Sequence, residues 1–104
     1  MSLAKKMLVV FVDENDTAGE LPLYEAIVRR LVQLDVAGAT VMAGIMGFGA
    51  QHQVHRKRLF GVSDDRPVTV CVVDDEEKLR RILPEIRPMV EEGLVLLLDC
   101  EQIP

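Results

Sequence analysis

The residues with the most chemical potential sit near the middle of the chain. Gly44-Ile45-Met46-Gly47-Phe48-Gly49 gathers three of the seven glycines. It is not a dinucleotide fingerprint, whose spacing is reversed and whose glycines join a strand to a helix. Gly44 and Gly49 have the spacing of a Walker loop, but Ala50-Gln51 stands where that loop needs Lys and Ser or Thr. The string therefore offers a strand end whose bare backbone can bend, or lie against a ligand or another chain. Directly after it, His52, His55, Arg56, Lys57 and Arg58 form a basic island in a chain of net charge −5. Residues three apart in an extended segment point to opposite faces, so the two histidines are not expected to share a metal. The island reads either as a solvated loop or as a protruding arm that meets an anionic ligand or a partner.

Two acidic groups, Asp13-Glu14 with Asp16 and Asp74-Asp75-Glu76-Glu77, could suggest metal or paired-carboxylate chemistry. Both fall where turns and helix starts already favour Asp and Glu. No Ser/His/Asp or Cys/His set has a workable spacing, which weighs against an enzyme. Cys71 and Cys100 are too few and too far apart for a disulfide framework or a metal ribbon, and Cys71 in an apolar run reads as a small buried thiol.

Composition sets the frame for these residues. A chain of 104 residues has room for one domain spanning 1–104. Hydrophobic residues make up 49% of it, aromatics only 4%, and the apolar material is mostly Val, Leu, Ile and Met. The acidic balance excludes a nucleic-acid partner, which would require a basic face. The apolar stretch after Lys6 is too short for a secretory signal, and no run approaches the ~20 residues of a membrane span. A cytoplasmic protein with no direct membrane insertion is expected.

The elements that must position these groups follow from periodicity. Met7–Val12 is short and β-branched, and reads as a strand bounded by Asp13–Gly19. Leu23, Ile27, Leu31 and Leu34 recur at helical spacing, with Glu25 and Arg29 paired on the other side; this predicts a helix from Pro22 to Asp35 that stops at Ala37-Gly38. A second strand runs from Ala39 toward Gly47-Phe48-Gly49, bent at Gly44 and Gly47. Val54–Phe60 could form a hairpin arm before the turn Ser63–Pro67. Val68–Val73 is a third strand. A second helix opens at Asp74–Glu77 and carries the stripe Leu79, Ile82, Leu83, Ile86, Met89 and Val90. Pro84 and Pro88 predict a kink near Leu83 or two short helices in line. Leu94–Leu98 is the last strand.

The order β-α-β-β-α-β predicts an α+β, ferredoxin-like sandwich with an antiparallel four-stranded sheet. Two helices cover one face of such a sheet. Yet Met7, Val9 and Phe11 are as apolar as Leu8, Val10 and Val12, the pattern of a strand buried on both sides. Another copy of the chain is the simplest cover for the second face.

Several of these strings together resemble a known family. Leu21–Ile27, Ala37–Val41 and above all Gly44–Ala50 are similar to the small prokaryotic proteins of domain-of-unknown-function family 190. Asp65–Val68, Val72–Asp74 and Met89–Gly93 fit as well, so the match covers nearly the whole chain. That family is itself similar to the P-II nitrogen-regulatory proteins. The resemblance implies a P-II-like protomer assembled as a homotrimer with sheets facing inward. It further implies an adenine nucleotide or similar effector in the clefts between subunits. Thr40, Gly47, Phe48, Gly49 and Gln51 would line the cleft. The loop 51–65, with His52, His55, Arg56, Lys57 and Arg58, would contact a transporter, channel or enzyme. Two departures qualify this: one extra residue separates Thr40 from Gly47, and Glu92-Gly93-Leu94 replaces a Gly- and Lys-rich phosphate segment. They leave two ligands open, a triphosphate of the P-II kind and a different anion held partly by Arg56–Arg58.

Three functions are thus in view. The first is a regulatory trimer that senses a small anion and signals through the 51–65 loop, with no resident cofactor. The second is an accessory subunit of a transporter or channel that needs no effector. The third is a small enzyme with a cleft carboxylate such as Asp13 or Asp74.

Overall fold

The computed structural model describes residues 4–48 and 66–104, with residues 55–56 described as backbone. Four strands build the main sheet: β1 (Lys5–Asp13), β2 (Thr40–Ala43), β3 (Pro67–Asp75) and β4 (Leu94–Cys100). Their spatial order is β2-β3-β1-β4, and every neighbouring pair is antiparallel. Helix α1 (Leu23–Gln33) links β1 to β2, and α2 (Glu76–Ile86) links β3 to β4. The α+β, ferredoxin-like order expected from the sequence is the order observed.

Both helices pack on one face of the sheet. Leu8, Val10 and Val12 of β1 and Val68, Val70 and Val72 of β3 meet Leu23, Ile27 and Leu31 of α1 and Leu79, Ile82 and Ile86 of α2. Leu8, Val10, Ile27, Val70, Leu79 and Ile86 are fully buried. Each such side chain contributes about 1.5–3 kcal/mol of hydrophobic stabilisation, so this single layer holds the domain together.

One helix end differs from the sequence-based expectation, and another decides between two. α1 stops at Gln33, before Gly38 is reached. Asp35 takes the left-handed conformation at φ +61, with its N–H donating to the Val32 carbonyl while the Val36 N–H donates to Leu31. This paired closure satisfies two orphan carbonyls, and Val36 packs back on the core as the motif favours. Asp tolerates the left-handed region better than most residues, so the closure does not wait for a glycine. α2 in turn runs through Pro84 to Ile86, and a 3₁₀ turn over Arg87–Met89 follows. Of the two expectations, a kink near Leu83 or two short helices in line, the second is the one observed, with the junction after Ile86. Pro84 is on the exposed side, where water reaches the carbonyl its missing N–H leaves free.

The other face of the sheet has no covering element among the described residues. Strand register places Val73, Met7 and Leu98 in one row, Cys71, Val9 and Leu96 in the next, and Thr69, Phe11 and Leu94 in a third. β2 adds Thr40 beside Cys71 and Met42 beside Thr69. Leu94 and Leu98 are 57% and 44% exposed, against 0% for Leu8 and Val10 on the covered face. Cys71 belongs to this open face and is half-buried there, not enclosed in the core. Lys5 closes one end of the apolar rows through an ion pair to Asp75 at 2.6 Å.

Replacing Asp35 with Gly removes the cost of a side chain in the left-handed region at the end of α1. We expect Asp35→Gly to raise unfolding free energy by about 0.5–1 kcal/mol in urea titration. An unchanged or lower value would mean that Asp35 does more than close the helix.

Candidate functional site

The candidate site grows from the point where β2 stops pairing with β3. After Ala43 the Gly44 N–H still donates to the Pro67 carbonyl at 2.7 Å, but the chain then folds over the Pro67 ring. A Cβ on Gly44 would stand 2.6 Å from Pro67 Cγ and 3.2 Å from its carbonyl oxygen, and one on Gly47 would stand 3.1 Å from Cγ. These two glycines thus permit a close backbone approach, one of the uses that glycine in a strand signals. Beyond them Met46–Gly47 pairs with His55–Arg56 as a separate two-stranded ribbon, Met46 opposite Arg56 and Gly47 opposite His55. The fold therefore brings the start of the basic segment back beside the glycine string, as a hairpin reading of 54–60 anticipates.

Not all of the expected site residues can be placed. Gly49, Gln51, His52, Lys57 and Arg58 lie outside the described residues, and for His55 and Arg56 the strand pairing is what the structure gives. Thr40 is exposed on the open face beside Cys71, while Phe48 is exposed past the end of the ribbon. Ile45 and Met46 are exposed as well, so the root of the arm is an apolar surface. One depression of about 560 Å³ lies between Asn15–Gly19, Leu23 and Met89–Glu92, and another of about 540 Å³ lies at the start of α2. Neither is lined by Thr40, Gly47 or Phe48.

Sequence reasoning missed the pair that braces this root. Arg66, the residue at which the described chain resumes, donates to Glu14 from Nη2 at 2.8 Å and from Nε at 3.2 Å. The Glu14 N–H returns a bond to the Arg66 carbonyl at 2.8 Å. Hydrogen bonding to Glu14, then its charge, raises the Arg66 guanidinium above its ordinary value. A basic residue directly before Pro67 was the available signal, but its partner lies 52 positions away.

The acidic groups have structural partners. Asp16 Oδ2 accepts the Asp13 N–H at 2.9 Å, and the Asp16 carbonyl accepts the Leu23 N–H at 2.7 Å, which sets the entry to α1. Asp74 is buried and accepts the N–H groups of Ala37 and Asp75 at 2.9 and 2.8 Å, with Lys78 Nζ at 3.5 Å. Burial pushes the Asp74 carboxyl up. The hydrogen bonds from Asp75 and Ala37 and the charge of Lys78 outweigh it and hold the group below its ordinary value. Asp74 thus pins the segment before β2 to the head of α2. Among the described residues, no group of three or more His, Cys, Asp or Glu side chains is placed to hold a metal ion.

Strand order β2-β3-β1-β4 with both helices on one face, and a two-stranded ribbon of Met46–Gly47 with His55–Arg56 inserted between β2 and β3, define a P-II-like ferredoxin fold. The chain is similar to the solved structure of CPII, a nitrogen regulatory PII-like protein from Thiomonas intermedia K12, bound to ADP, AMP and bicarbonate. The TM-score is 0.68 at 22% identity, covering 95% of this chain and 89% of that one. It is also similar to the divalent ion tolerance protein CutA1 from Ehrlichia chaffeensis, with TM-score 0.68 at 8% identity over 100% of this chain and 88% of the other. At these identities the likeness concerns the fold. The chain belongs to the DUF190 family (Uncharacterized ACR), whose model matches residues 5–102. A UPF0166 protein of Aquifex aeolicus is 34% identical over 95% of this chain and 93% of its own length. Another, from Methanocaldococcus jannaschii, is 35% identical over 91% and 88%.

The Asp74 contacts give a stability prediction with a defined pH course. A carboxyl held below its unfolded value stabilises the fold above that value, about pH 4, and the stabilisation is lost as pH falls through the folded value. Asp74→Asn should therefore cost about 1–3 kcal/mol at neutral pH. The gap to the parent protein should narrow below about pH 4 in denaturant titrations. A gap that stays constant down to pH 3 would contradict an ionised Asp74 as the linking group.

Proposed function

We propose that this protein is a P-II-like regulatory protein. Copies assemble as a homotrimer with their open sheet faces inward, and a small anionic effector binds in the clefts between them. The observation that carries this reading is the root of the arm, where Gly44 and Gly47 fold over Pro67 at the margin of an uncovered apolar sheet. In this reading the bare backbone and Thr40 would form one side of a cleft, and a neighbouring copy the other. A second copy suits the open face because its rows of Leu, Val, Met and Phe are self-complementary in chemistry and bounded by the Lys5–Asp75 pair. An adenine nucleotide is the first effector to consider, since the P-II-like neighbour from Thiomonas is described as bound to ADP, AMP and bicarbonate. Residues 51–65, with Arg56, Lys57 and Arg58 among them, would carry the bound state to a target protein, either an enzyme or a membrane transporter or channel. No helix among the described residues is long and apolar enough to cross a membrane, so contact with a membrane target would be made by docking.

A thermal-shift and calorimetry series with ADP, AMP, ATP, cyclic AMP and bicarbonate tests the reading. A true effector at ~100 times its dissociation constant adds about 2.7 kcal/mol of stability. Stabilisation by one or more of these ligands, lost on Gly47→Arg, is the expected result. No response to any nucleotide or anion would overturn effector sensing and leave a docking module that works without one.

A further inference from the structure

β2 ends at Ala43 and β3 begins at Pro67, just past Arg66, and the contacts at these two points hold residues 44–48 against the start of β3. Two of the fixing contacts are made by backbone: Gly44 N–H to the Pro67 carbonyl, and Glu14 N–H to the Arg66 carbonyl. The third is the two-pronged contact of the Arg66 guanidinium on the Glu14 carboxylate, at 2.8 and 3.2 Å. A bidentate Arg–carboxylate pair sets direction as well as distance, which a single point charge does not. Glu14 also stands inside the turn that Asp13 and Asp16 close, and the same turn carries the Asp16 carbonyl that receives the Leu23 N–H at the head of α1. The pair therefore links the start of β3 to the segment that starts the first helix. Both side chains are about one-third exposed, at 32% and 31%, so the contact is open to change without opening the core.

We infer that Glu14 and Arg66 are the positioning pair of the root formed by residues 44–48 and 66–67. Their fork fixes the direction in which residues 44–48 leave the sheet and couples it to the turn ahead of α1. Drawing either side chain to another partner releases the root while the four-stranded sheet stays intact. The inference concerns the root alone and does not depend on an effector being found, so the two readings can fail separately.

Amide hydrogen exchange by NMR on Glu14→Gln and Arg66→Lys tests it. Gln keeps the shape of the acceptor without the charge, and Lys keeps the charge without the fork. Exchange at the Gly44 and residue-14 amides should rise about five-fold in both variants, the scale of one well-formed ion pair. The Val10 and Val70 amides of the central strands should keep their rates. The exchanged pair Glu14→Arg with Arg66→Glu should return the root amides toward the parent rates. Unchanged exchange at Gly44 and residue 14 in both single variants would overturn the proposal. So would an equal rise at Val10 and Val70, because the pair would then be a general stabiliser and not a clamp on the root.

Discussion

A four-stranded sheet has two faces, and two helices of 11 residues cover one of them. Most other features of this protein depend on that geometric limit. The covered face takes Leu8, Val10, Val70 and Val72 out of water against Ile27, Leu31, Leu79 and Ile86, and that burial holds the domain. The uncovered face presents Met7, Val9, Phe11, Leu94, Leu96 and Leu98, an apolar surface of the kind that marks an interaction site on a soluble protein. A small domain gains most from such a face by association, since it buries too little of its surface alone.

The same limit bears on the candidate site, since neither depression described above is lined by Thr40, Gly47 or Phe48. Thr40 and the glycine string sit at the β2 margin of the open face, not between the layers. The contact of Gly44 and Gly47 with Pro67 turns the chain away from the sheet at that margin, and the Glu14–Arg66 pair braces the return. Fold and candidate site therefore meet at one place: the sheet is covered by helices on one side, and the glycine string leaves it at the margin of the other.

How far the sequence reveals this depends on how local each signal is. β1 and β3 are legible because their apolar runs are continuous, and α1 because Leu23, Ile27 and Leu31 keep helical spacing. The second apolar face is legible for the same reason, as both alternating sets of β1 are hydrophobic. Legibility fades where a residue's role is set by something distant. Gly44 reads as a generic bend until Pro67, 23 positions later, is seen lying under it. Glu14 reads as a turn acid until Arg66 arrives from across the arm. Asp74 reads as a helix-start acid until the Ala37 N–H, 37 positions away, is found on its carboxylate. Helix ends fail in a milder way: Asp35 performs the closing turn that glycine usually performs, and Pro84 sits where water tolerates it.

The central claim is that copies of this chain cover the open face, and the mass of the particle in solution tests it most directly. Light scattering on the eluting peak at micromolar concentration should give about 35 kDa, three chains of 11.6 kDa. A monodisperse particle of 11.6 kDa under those conditions would contradict the claim. The apolar rows of β1, β3 and β4 would then need a cover from a different molecule.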